Sequence, residues 1–426
     1  MNKVSIHINE LGPVKNQSIE LKPVMLFTGE SGLGKSYVNF LTYYLFYVFS
    51  SDRMNEFLLE KIDVDFNDKK EFQVIVNTTE LVDWLQRDVR SFFVYLFNFD
   101  DIKCDVRFVF ERVEDVYNFK IKILQGSKEY REFSTFEVFL NGSKVSNYFY
   151  FSQRLDVDTC DVIRRILCNR FFGDSVSRSF LLPPGRASLL TGDYTAQSGS
   201  SKLGLYDLFL RDNDFINSMV LRNKQKNIRN VIFKSQIHDL IKGDLTSEKD
   251  GVFLLTEDKQ KIPLGAAASS VKELTPLLQL ILSEMITNHA ICIEEPEAHL
   301  HSEMQISIAD LLALCVNRKA SLQITTHSDY FLQRINQLIK YGCLKNKDDK
   351  RYMKLCEETG HLPDCYLNKD DLNAYYFSSE NGLTKIELLN IGNEGVPLST
   401  FFNAVGILSK EDELLNDELE KLKKLQ

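Results

Sequence analysis

Three short segments of the sequence carry side chains suited to a phosphorylated ligand. The first, Gly29-Glu30-Ser31-Gly32-Leu33-Gly34-Lys35-Ser36, has the spacing of a P-loop. The glycines of such a loop let backbone N–H groups wrap around phosphate oxygens at the positive N-terminus of a helix. Lys35 would then reach the β and γ phosphates, and the Ser36 hydroxyl would bind Mg²⁺. The segment therefore predicts a nucleotide-binding site.

Two adjacent carboxylates form the second segment. Glu294 and Glu295 follow the apolar run Ala290-Ile291-Cys292-Ile293, which predicts a buried strand ending at the acids. Ligands bind at the carboxyl ends of strands in an open α/β sheet. Because successive residues of a strand point to opposite sides, we expect one carboxylate to hold the Mg²⁺ shell and the other to orient the attacking water.

Histidines form the third group of interest. His327 comes directly after the apolar run 321–325, where it can sense a terminal phosphate. His299 and His301 lack the helical spacing of a metal pair, so we expect structural roles for them. A separate charged stretch contains four side chains of the types that bind zinc: Cys343, Cys356, His361 and Cys365. Its spacing fits no paired zinc motif, which favours ordinary loop residues over a metal site.

The elements that must position these side chains alternate between strand and helix. Residues 24–27 predict a strand before the P-loop, an apolar helix starts at Lys35, and a helix at 302–316 separates the two later strands. We expect an α/β fold. Its expected divisions are these: residues 1–50 with the P-loop, an inserted α/β lobe at 51–170, a connecting turn and helical subdomain at 171–250, and residues 251–426 with the acidic pair and the histidine.

Composition narrows the class of protein. The 426 residues are 44% hydrophobic and 26% charged, so the chain can bury a large core and is not dominated by disorder. A formal charge of −9 argues against a surface that coats nucleic acid nonspecifically, although a local basic groove stays open. No apolar run approaches the ~20 residues that span a bilayer. We therefore expect a cytoplasmic protein without a membrane partner.

Taken together, the three segments resemble the ABC-type ATPase heads of the RecF, SMC and OLD-like group. More closely, they resemble the ATPases of that group in bacterial anti-phage defence systems. Three further stretches share the likeness: Leu11-Gly12-Pro13-Val14, Leu182-Pro183-Pro184-Gly185-Arg186 and Ala268-Ser269-Ser270. The resemblance implies a P-loop ABC-ATPase head with a mixed sheet, formed by 1–50 and 251–426, that binds ATP and Mg²⁺. Residues 51–170 show little similarity to these ATPase heads.

The resemblance also implies roles for individual residues. Lys35 and Ser36 take the Walker A roles, Glu294 the Walker B metal-shell role, and Glu295 the catalytic role of orienting water. His327 resembles the catalytic switch histidine. Ser269 and Ser270 stand where such heads carry a signature serine that reaches the γ-phosphate bound by a second subunit. Val271 replaces the usual glycine there, which implies slow hydrolysis or weaker ATP-driven dimerisation. Arg186 is a candidate for a neighbouring role.

Partners follow from chemistry and from the resemblance. A P-loop covers the phosphates from one side only, so a second subunit is the natural lid, giving an ATP-linked homodimer or higher even oligomer. OLD-like proteins often carry a Toprim nuclease, but no Asp-x-Asp follows His327. We therefore expect an ATP-dependent sensor that regulates a separate effector protein in anti-phage defence.

The alternative is a RecF- or SMC-like DNA-binding ATPase in repair or maintenance. It depends on a basic run on a predicted helix: Arg222, Lys224, Lys226, Arg229 and Lys234. A solvated helix face is the simpler interpretation of that run because the whole chain is acidic.

Overall fold

The computed structural model describes the chain from Asn2 to Leu419 with gaps. The residues outside the description are 1, 65, 67–69, 129–130, 151–153, 174–175, 192–202, 224–230, 249, 398–405, 417–418 and 420–426. Three of the basic residues that carry the DNA-binding alternative, Lys224, Lys226 and Arg229, lie in these gaps.

The chain alternates strands and helices throughout. The strands are β1 (Val4–Leu11), β2 (Val14–Glu20), β3 (Val24–Gly29), β4 (Glu71–Asn77), β5 (Cys104–Phe110), β6 (Val116–Lys128), β7 (Arg131–Leu140), β8 (Ser143–Tyr150), β9 (Arg178–Leu182), β10 (Gly243–Glu248), β11 (Gly251–Thr256), β12 (Lys261–Pro263), β13 (His289–Glu294), β14 (Ser321–Thr325), β15 (Leu372–Glu380) and β16 (Leu383–Leu388). The helices are α1 (Lys35–Ser50), α2 (Asn55–Leu59), α3 (Thr78–Phe97), α4 (Leu155–Phe172), α5 (Arg186–Thr191), α6 (Gly204–Asn223), α7 (Val231–Ile241), α8 (Ser269–Leu282), α9 (Ser302–Val316), α10 (Asp329–Lys347) and α11 (Asp349–Thr359).

Within the described ranges, nine strands form one mixed sheet in the order β5-β1-β2-β16-β15-β3-β14-β13-β9. The five strands from β15 to β9 run parallel to one another. The other end of the sheet is largely antiparallel, through the pairs β1–β2, β1–β5 and β15–β16. The expected α/β class with a mixed sheet is thereby confirmed.

Hydrophobic cores cover both faces of this sheet. Along the central strands, alternate side chains enter different cores, because successive residues of a strand point to opposite sides. Met25 and Phe27 pack in the core that includes α1, α3 and α4. Leu26 packs in the other core, with α8, α9 and α10. A central parallel sheet covered on both faces is typical of α/β proteins.

Residues 51–170 contribute to two sheets. β4, β6, β7 and β8 form a separate antiparallel sheet, whereas β5 pairs with β1 at the edge of the main sheet. A third sheet joins β10, β11 and β12. The sequence patterns predict β11 and β12 but not β10, whose residues Gly243-Asp244-Leu245-Thr246-Ser247-Glu248 are mostly polar. The sequence pattern predicts a strand from Ser18 to Leu21, whereas the strand in the structure, β2, spans Val14–Glu20.

The described helices include none that is both long enough and apolar enough to cross a membrane.

A buried carboxylate holds the edge strand β9. Asp212 on α6 accepts a hydrogen bond from the Leu181 backbone N–H at 3.1 Å, and Arg178 Nη2 lies 3.4 Å from its other oxygen. Asp212 is 7% exposed, and burial raises its pKa from 3.8 to about 7. The Asp212 carboxylate therefore accepts a hydrogen bond from a backbone N–H of β9, which is an edge strand of the sheet formed by the described residues. Burying this carboxylate costs desolvation free energy.

We predict that Asp212→Asn removes a pH dependence of stability. A carboxyl whose pKa is raised on folding contributes stability that is complete below its unfolded pKa and is lost as pH rises through the folded value. As pH rises from about 4 to about 7, the melting temperature of the parent should therefore fall relative to that of Asp212→Asn. Asparagine keeps an oxygen for the Leu181 N–H.

Thermal unfolding at several pH values measures this difference. Asp239→Asn, which removes an exposed carboxylate from α7, is the matched control. If the two variants show the same pH dependence relative to the parent, the assignment to Asp212 is wrong.

Asp212→Ala should lower the free energy of unfolding by about 1–3 kcal/mol at any pH, because it leaves a buried N–H without an acceptor.

Candidate nucleotide-binding site

Three neighbouring parallel strands bring the three sequence segments to one edge of the sheet. β3 ends at the P-loop, β14 ends at Thr325 and β13 ends at Glu294. β14 lies between the other two, with Glu294 paired to Thr325 and Thr325 paired to Phe27. Parallel strands end at the same edge, so segments almost 300 residues apart in sequence meet there.

The glycines of the P-loop occupy positions that a side chain would block. Gly29 has a φ of +111°, and a Cβ there would lie 2.2 Å from the Phe377 carbonyl oxygen of β15. Gly34, at the N-cap of α1, has a φ of +90°, and a Cβ there would lie 2.8 Å from Val14 Cγ2. The loop can thus pass close to β15 and turn into α1 only with glycine at these two positions.

Inside this loop, Lys35 is buried with its ammonium group directed at the loop backbone. Its Nζ donates to the carbonyl oxygens of Gly29, at 3.1 Å, and Glu30, at 2.6 Å. Burial lowers the lysine pKa, and the negative charges of Glu295 and Glu294 oppose this shift. The rest of the loop surface is open, with Glu30, Ser31 and Gly32 exposed and Leu33 half-buried.

Glu294 connects the P-loop helix to the acidic segment. Its Oε2 accepts a hydrogen bond from Ser36 Oγ at 2.5 Å, and its Oε1 accepts one from Asn39 Nδ2 at 2.5 Å. The side chain is 3% exposed, and burial raises its pKa. Hydrogen bonds from Ser36, Asn39 and Thr325 oppose that shift and favour the carboxylate form.

The oxygens at this point fit a magnesium ion. Ser36 Oγ and Glu294 Oε2 are 2.5 Å apart beside the loop that would hold the phosphates. Mg²⁺ prefers a few oxygen ligands together with waters and substrate phosphates. When bound, the ion would neutralise phosphate charge, with Ser36 and Glu294 as the groups that hold it.

Glu295 and His327 face each other on the open side of the site. Glu295 Oε1 lies 3.9 Å from His327 Nε2, and the two side chains are 44% and 39% exposed. Burial and the charge of Lys35 lower the His327 pKa, which favours the neutral imidazole, and the negative charge of Glu295 opposes this shift. Glu295 has a left-handed backbone, with a φ of +47°, a strained conformation that is concentrated at functional sites.

Glu297 fixes the backbone that carries His327. Its Oε1 accepts hydrogen bonds from Thr326 Oγ1 at 2.7 Å and from the His327 N–H at 2.9 Å. Its Oε2 is buried and has no hydrogen-bond partner among the described residues. Sequence patterns did not single out Glu297 as functional, although it lies only two residues beyond Glu295.

The two predicted signature serines lie at the N-terminus of a helix. Ser269 and Ser270 are the first residues of α8, with Ser269 exposed and Ser270 half-buried. Among the described residues, no hydrogen bond or ion pair joins either serine to the P-loop. Their role toward a nucleotide bound by a second subunit stays a prediction.

Arg186 links α8 to the end of β13. This fully buried side chain donates from Nη1 to the Glu294 carbonyl oxygen at 3.0 Å and from Nε to the Glu273 carbonyl oxygen at 2.7 Å. Nε also lies 3.2 Å from Glu273 Oε2. Because Glu273 is one turn after Ser269, the arginine ties the serine-bearing helix to the strand end that carries the acidic pair.

The remaining histidines and the cysteine group have other surroundings. His301 is the N-cap residue of α9, and His299 has a φ of +62° in the preceding turn. His361 stacks on Tyr341 with ring centroids 3.8 Å apart, and Cys365 Sγ contacts the Asp310 carbonyl oxygen. Within the described residues, no three His, Cys, Asp or Glu side chains are close enough to hold a metal ion.

Comparison with known proteins supports part of this interpretation. Residues 200–332 match the family model of an AAA ATPase domain. The match includes α8, the acidic pair and His327 but not the P-loop, which precedes it. The comparison with curated proteins gave no significant match.

Solved structures similar to this chain include SMC head domains. One, an Smc head bound to the C-terminal winged-helix domain of ScpA, has 15% identity and a TM-score of 0.39, covering 92% of this chain and 97% of the other. The SMC head of Thermotoga maritima has 11% identity and a TM-score of 0.34, covering 92% and 100%.

A third, an Smc head with an extended coiled coil bound to the C-terminal domain of ScpA derived from Pyrococcus furiosus, has 13% identity and a TM-score of 0.38, covering 96% and 99%. All three TM-scores are below 0.5, and the sheet topology defines the α/β class independently of these structures. The chain is an ATP-binding ATPase.

We predict that Asn39→Leu weakens the Mg²⁺ dependence of nucleotide binding. The substitution leaves the buried Glu294 Oε1 without its donor, at a cost of about 1–3 kcal/mol. The Mg²⁺ concentration that gives half-maximal tightening of ATP binding should rise about tenfold or more. Fluorescence titration of nucleotide binding at graded Mg²⁺ concentrations measures this value.

Thr42→Val is the matched control for this variant. Thr42 is equally buried on the same helix, but its hydroxyl donates to the Asn39 carbonyl oxygen and not to Glu294. The two variants should differ in Mg²⁺ dependence while both remain folded. An unchanged Mg²⁺ midpoint in a folded Asn39→Leu protein would show that Asn39 does not position Glu294.

Proposed function

We propose that this ATPase uses Mg²⁺·ATP at the P-loop and closes as a dimer around the bound nucleotides. The contact that carries the proposal joins Ser36 of the P-loop helix to Glu294 of the acidic segment at 2.5 Å, across 258 residues of sequence. Lys35 lies in the same loop, and Glu295 and His327 lie on its open side. These are the parts that phosphoryl transfer to water requires.

Each side chain has a separate task in this proposal. Lys35 exchanges its two backbone partners for phosphate oxygens and neutralises their charge. Ser36 and Glu294 hold the metal ion, and Asn39 keeps the glutamate oriented. Glu295 is partly exposed, so its carboxylate can accept a proton from a water molecule placed in line with the γ-phosphate. Neutral His327, directed by Glu297, donates a hydrogen bond to that phosphate.

The exposure of the site supports a dimer. One side of the nucleotide site is the buried sheet edge, whereas Glu30, Ser31 and Gly32 face solvent on the other. Efficient hydrolysis needs donors to the developing charge and exclusion of bulk water on the open side. The exposed N-terminus of α8, with Ser269 and Ser270, supplies such donors if a second copy presents it.

For the biological role, we propose a cytoplasmic sensor whose ATP state regulates a separate effector protein in anti-phage defence. The support is the sequence resemblance and the connection through Arg186, which would let closure of α8 across a dimer move the Glu294 backbone. A gene for a nuclease or toxin next to the gene for this chain, together with its ATP-dependent co-purification, would test this role. Failure of every neighbouring gene product to bind the ATP-loaded protein would contradict it.

The alternative role, DNA binding by the ATP-loaded dimer, depends on the basic run from Arg222 to Lys234, of which Arg222 lies on α6 and Lys234 on α7. Arg222 and Lys234 are both exposed. If this role holds, duplex DNA should bind only with ATP, and its affinity should fall steeply with salt because phosphate contacts release counterions. Binding of DNA that ignores both ATP and salt concentration would contradict the alternative.

Glu295→Gln should bind ATP, lose hydrolysis by at least about a hundredfold and accumulate as an ATP-bound dimer, because it lacks the proton acceptor. Lys35→Ala should abolish nucleotide binding. Phosphate release and size-exclusion chromatography with light scattering measure these effects. Glu303→Gln, an exposed glutamate in the first turn of α9, is the control and should behave like the parent. Parental turnover by Glu295→Gln would show that the assigned base is wrong.

A further inference from the structure

A second cleft lies at the opposite end of α1 from the P-loop. Its volume is about 690 Å³, and its walls are the C-terminal end of α1, the start of β9, and parts of α4 and α6. A 16-residue helix is about 24 Å long, so this cleft is separate from the nucleotide site. Its volume is within the range of small-molecule sites, about 300–1,000 Å³.

The lining of this cleft is rich in arginine, although the chain as a whole has a charge of −9. Five guanidinium groups reach it from four separate parts of the chain: Arg53, Arg164, Arg165, Arg178 and Arg211. We call this feature the arginine cleft. Each of these arginines lies within ion-pair distance of a carboxylate of the chain, which offsets part of the repulsion between the like charges.

Neighbouring groups hold these arginines in place. Asp161 accepts hydrogen bonds from Arg164 Nη2 and from Arg165 Nε, the latter at 2.9 Å. The Arg178 guanidinium lies over the Phe215 ring, 3.7 Å from its centroid. The guanidinium groups are therefore pre-organised, which lowers the entropy lost when a ligand binds.

These contacts use only part of the hydrogen-bonding capacity of the arginines. A guanidinium group has five N–H donors, and the carboxylate contacts of these arginines occupy one or two of them. Arg53 is the most fully engaged, with Nε and Nη2 both bonded to Asp88. Arg164 is 8% exposed at its side chain, and its Nε is buried with no hydrogen-bond partner among the described residues. A buried donor without a partner is costly, and an acceptor that reached the Arg164 Nε would remove that cost.

The carboxylates of the lining do not fill this need. Asp161 and Asp212 are already shared with arginines, and Asp52 and Glu56 are exposed. Hydroxyl groups complete the lining, with Ser50 Oγ and Ser179 Oγ 3.0 Å apart. Guanidinium forks together with hydroxyl groups are the donors that bind the several oxygens of a phosphate group.

We propose that the arginine cleft binds a phosphorylated small molecule of up to nucleotide size, at a site distinct from the P-loop. The inference does not depend on the proposed function, because it rests on the geometry of a different part of the chain. A ligand of this class in the cleft would lie against the end of the helix whose other end carries Lys35.

Isothermal titration calorimetry on the full chain tests the proposal. The probes are inorganic pyrophosphate, AMP and a 5′-phosphorylated dinucleotide, and the protein carries Lys35→Ala to weaken uptake by the P-loop. At least one probe should bind with a Kd below about 100 µM at one site per chain. Adding Arg165→Glu and Arg211→Glu should weaken that binding at least about tenfold. Both side chains are more than half exposed, at 60% and 64%, so the fold should tolerate the change.

The matched control reverses two exposed charges elsewhere. Arg351→Glu and Lys354→Glu alter side chains of α11 that are 82% and 77% exposed and lie outside the cleft. They should leave the affinity within about twofold of the Lys35→Ala protein. If Lys35→Ala still binds a probe at the P-loop, two sites will be titrated, and reversal in the cleft should remove one of them.

Three results would overturn the proposal. One is the absence of binding by all three probes at millimolar concentration. Another is binding that Arg165→Glu with Arg211→Glu leaves unchanged, which would place the site elsewhere. The third is binding only by a 30-nucleotide single strand in the same assay, which would make the cleft part of a nucleic-acid surface.

Discussion

The candidate site depends on one constraint, the parallel pairing of β3, β14 and β13 in register. That pairing aligns Phe27, Thr325 and Glu294 at one edge of the sheet. Beyond this edge, β3 continues into the P-loop, β13 into the acidic segment and β14 into the turn that carries His327. Because hydrophobic cores cover both faces of the strands, their register cannot slip without moving apolar side chains to the wrong face. The same cores that stabilise the fold therefore set the distances within the site.

Burying charged side chains at this edge costs desolvation free energy, and hydrogen bonds from the surrounding residues offset that cost. Glu294 and Arg186 are almost fully buried, and burial shifts the pKa of each toward its neutral form. Ser36, Asn39 and Thr325 donate to the Glu294 side chain, while Arg186 bonds its carbonyl oxygen. Desolvated charges are tolerated only when such partners are present. The result is a rigid carboxylate, in contrast to the half-exposed pair formed by Glu295 and His327.

Sequence reasoning could find the parts of the site that lie in short local motifs. The P-loop, Glu294, Glu295 and His327 each follow an apolar strand, so composition and order alone locate them. Asn39 is different: it interrupts an aromatic and apolar helix, and its partner is 255 residues away. Arg186 likewise meets the Glu273 backbone across 87 residues. Long-range pairs of this kind leave no local pattern. The sequence pattern does not predict the strand β10, because its mostly polar residues show no alternation of apolar and polar side chains.

The central claim is that Ser36 and Glu294 act together on one metal ion bound to ATP. A double-mutant cycle with Ser36→Ala, Glu294→Gln and the combined variant, read out as Mg²⁺-dependent ATP affinity, measures their coupling directly. If the claim holds, the second substitution should cost little after the first, giving a coupling energy above about 1 kcal/mol. Fully additive losses, or Mg²⁺-dependent affinity that survives both substitutions, would contradict it.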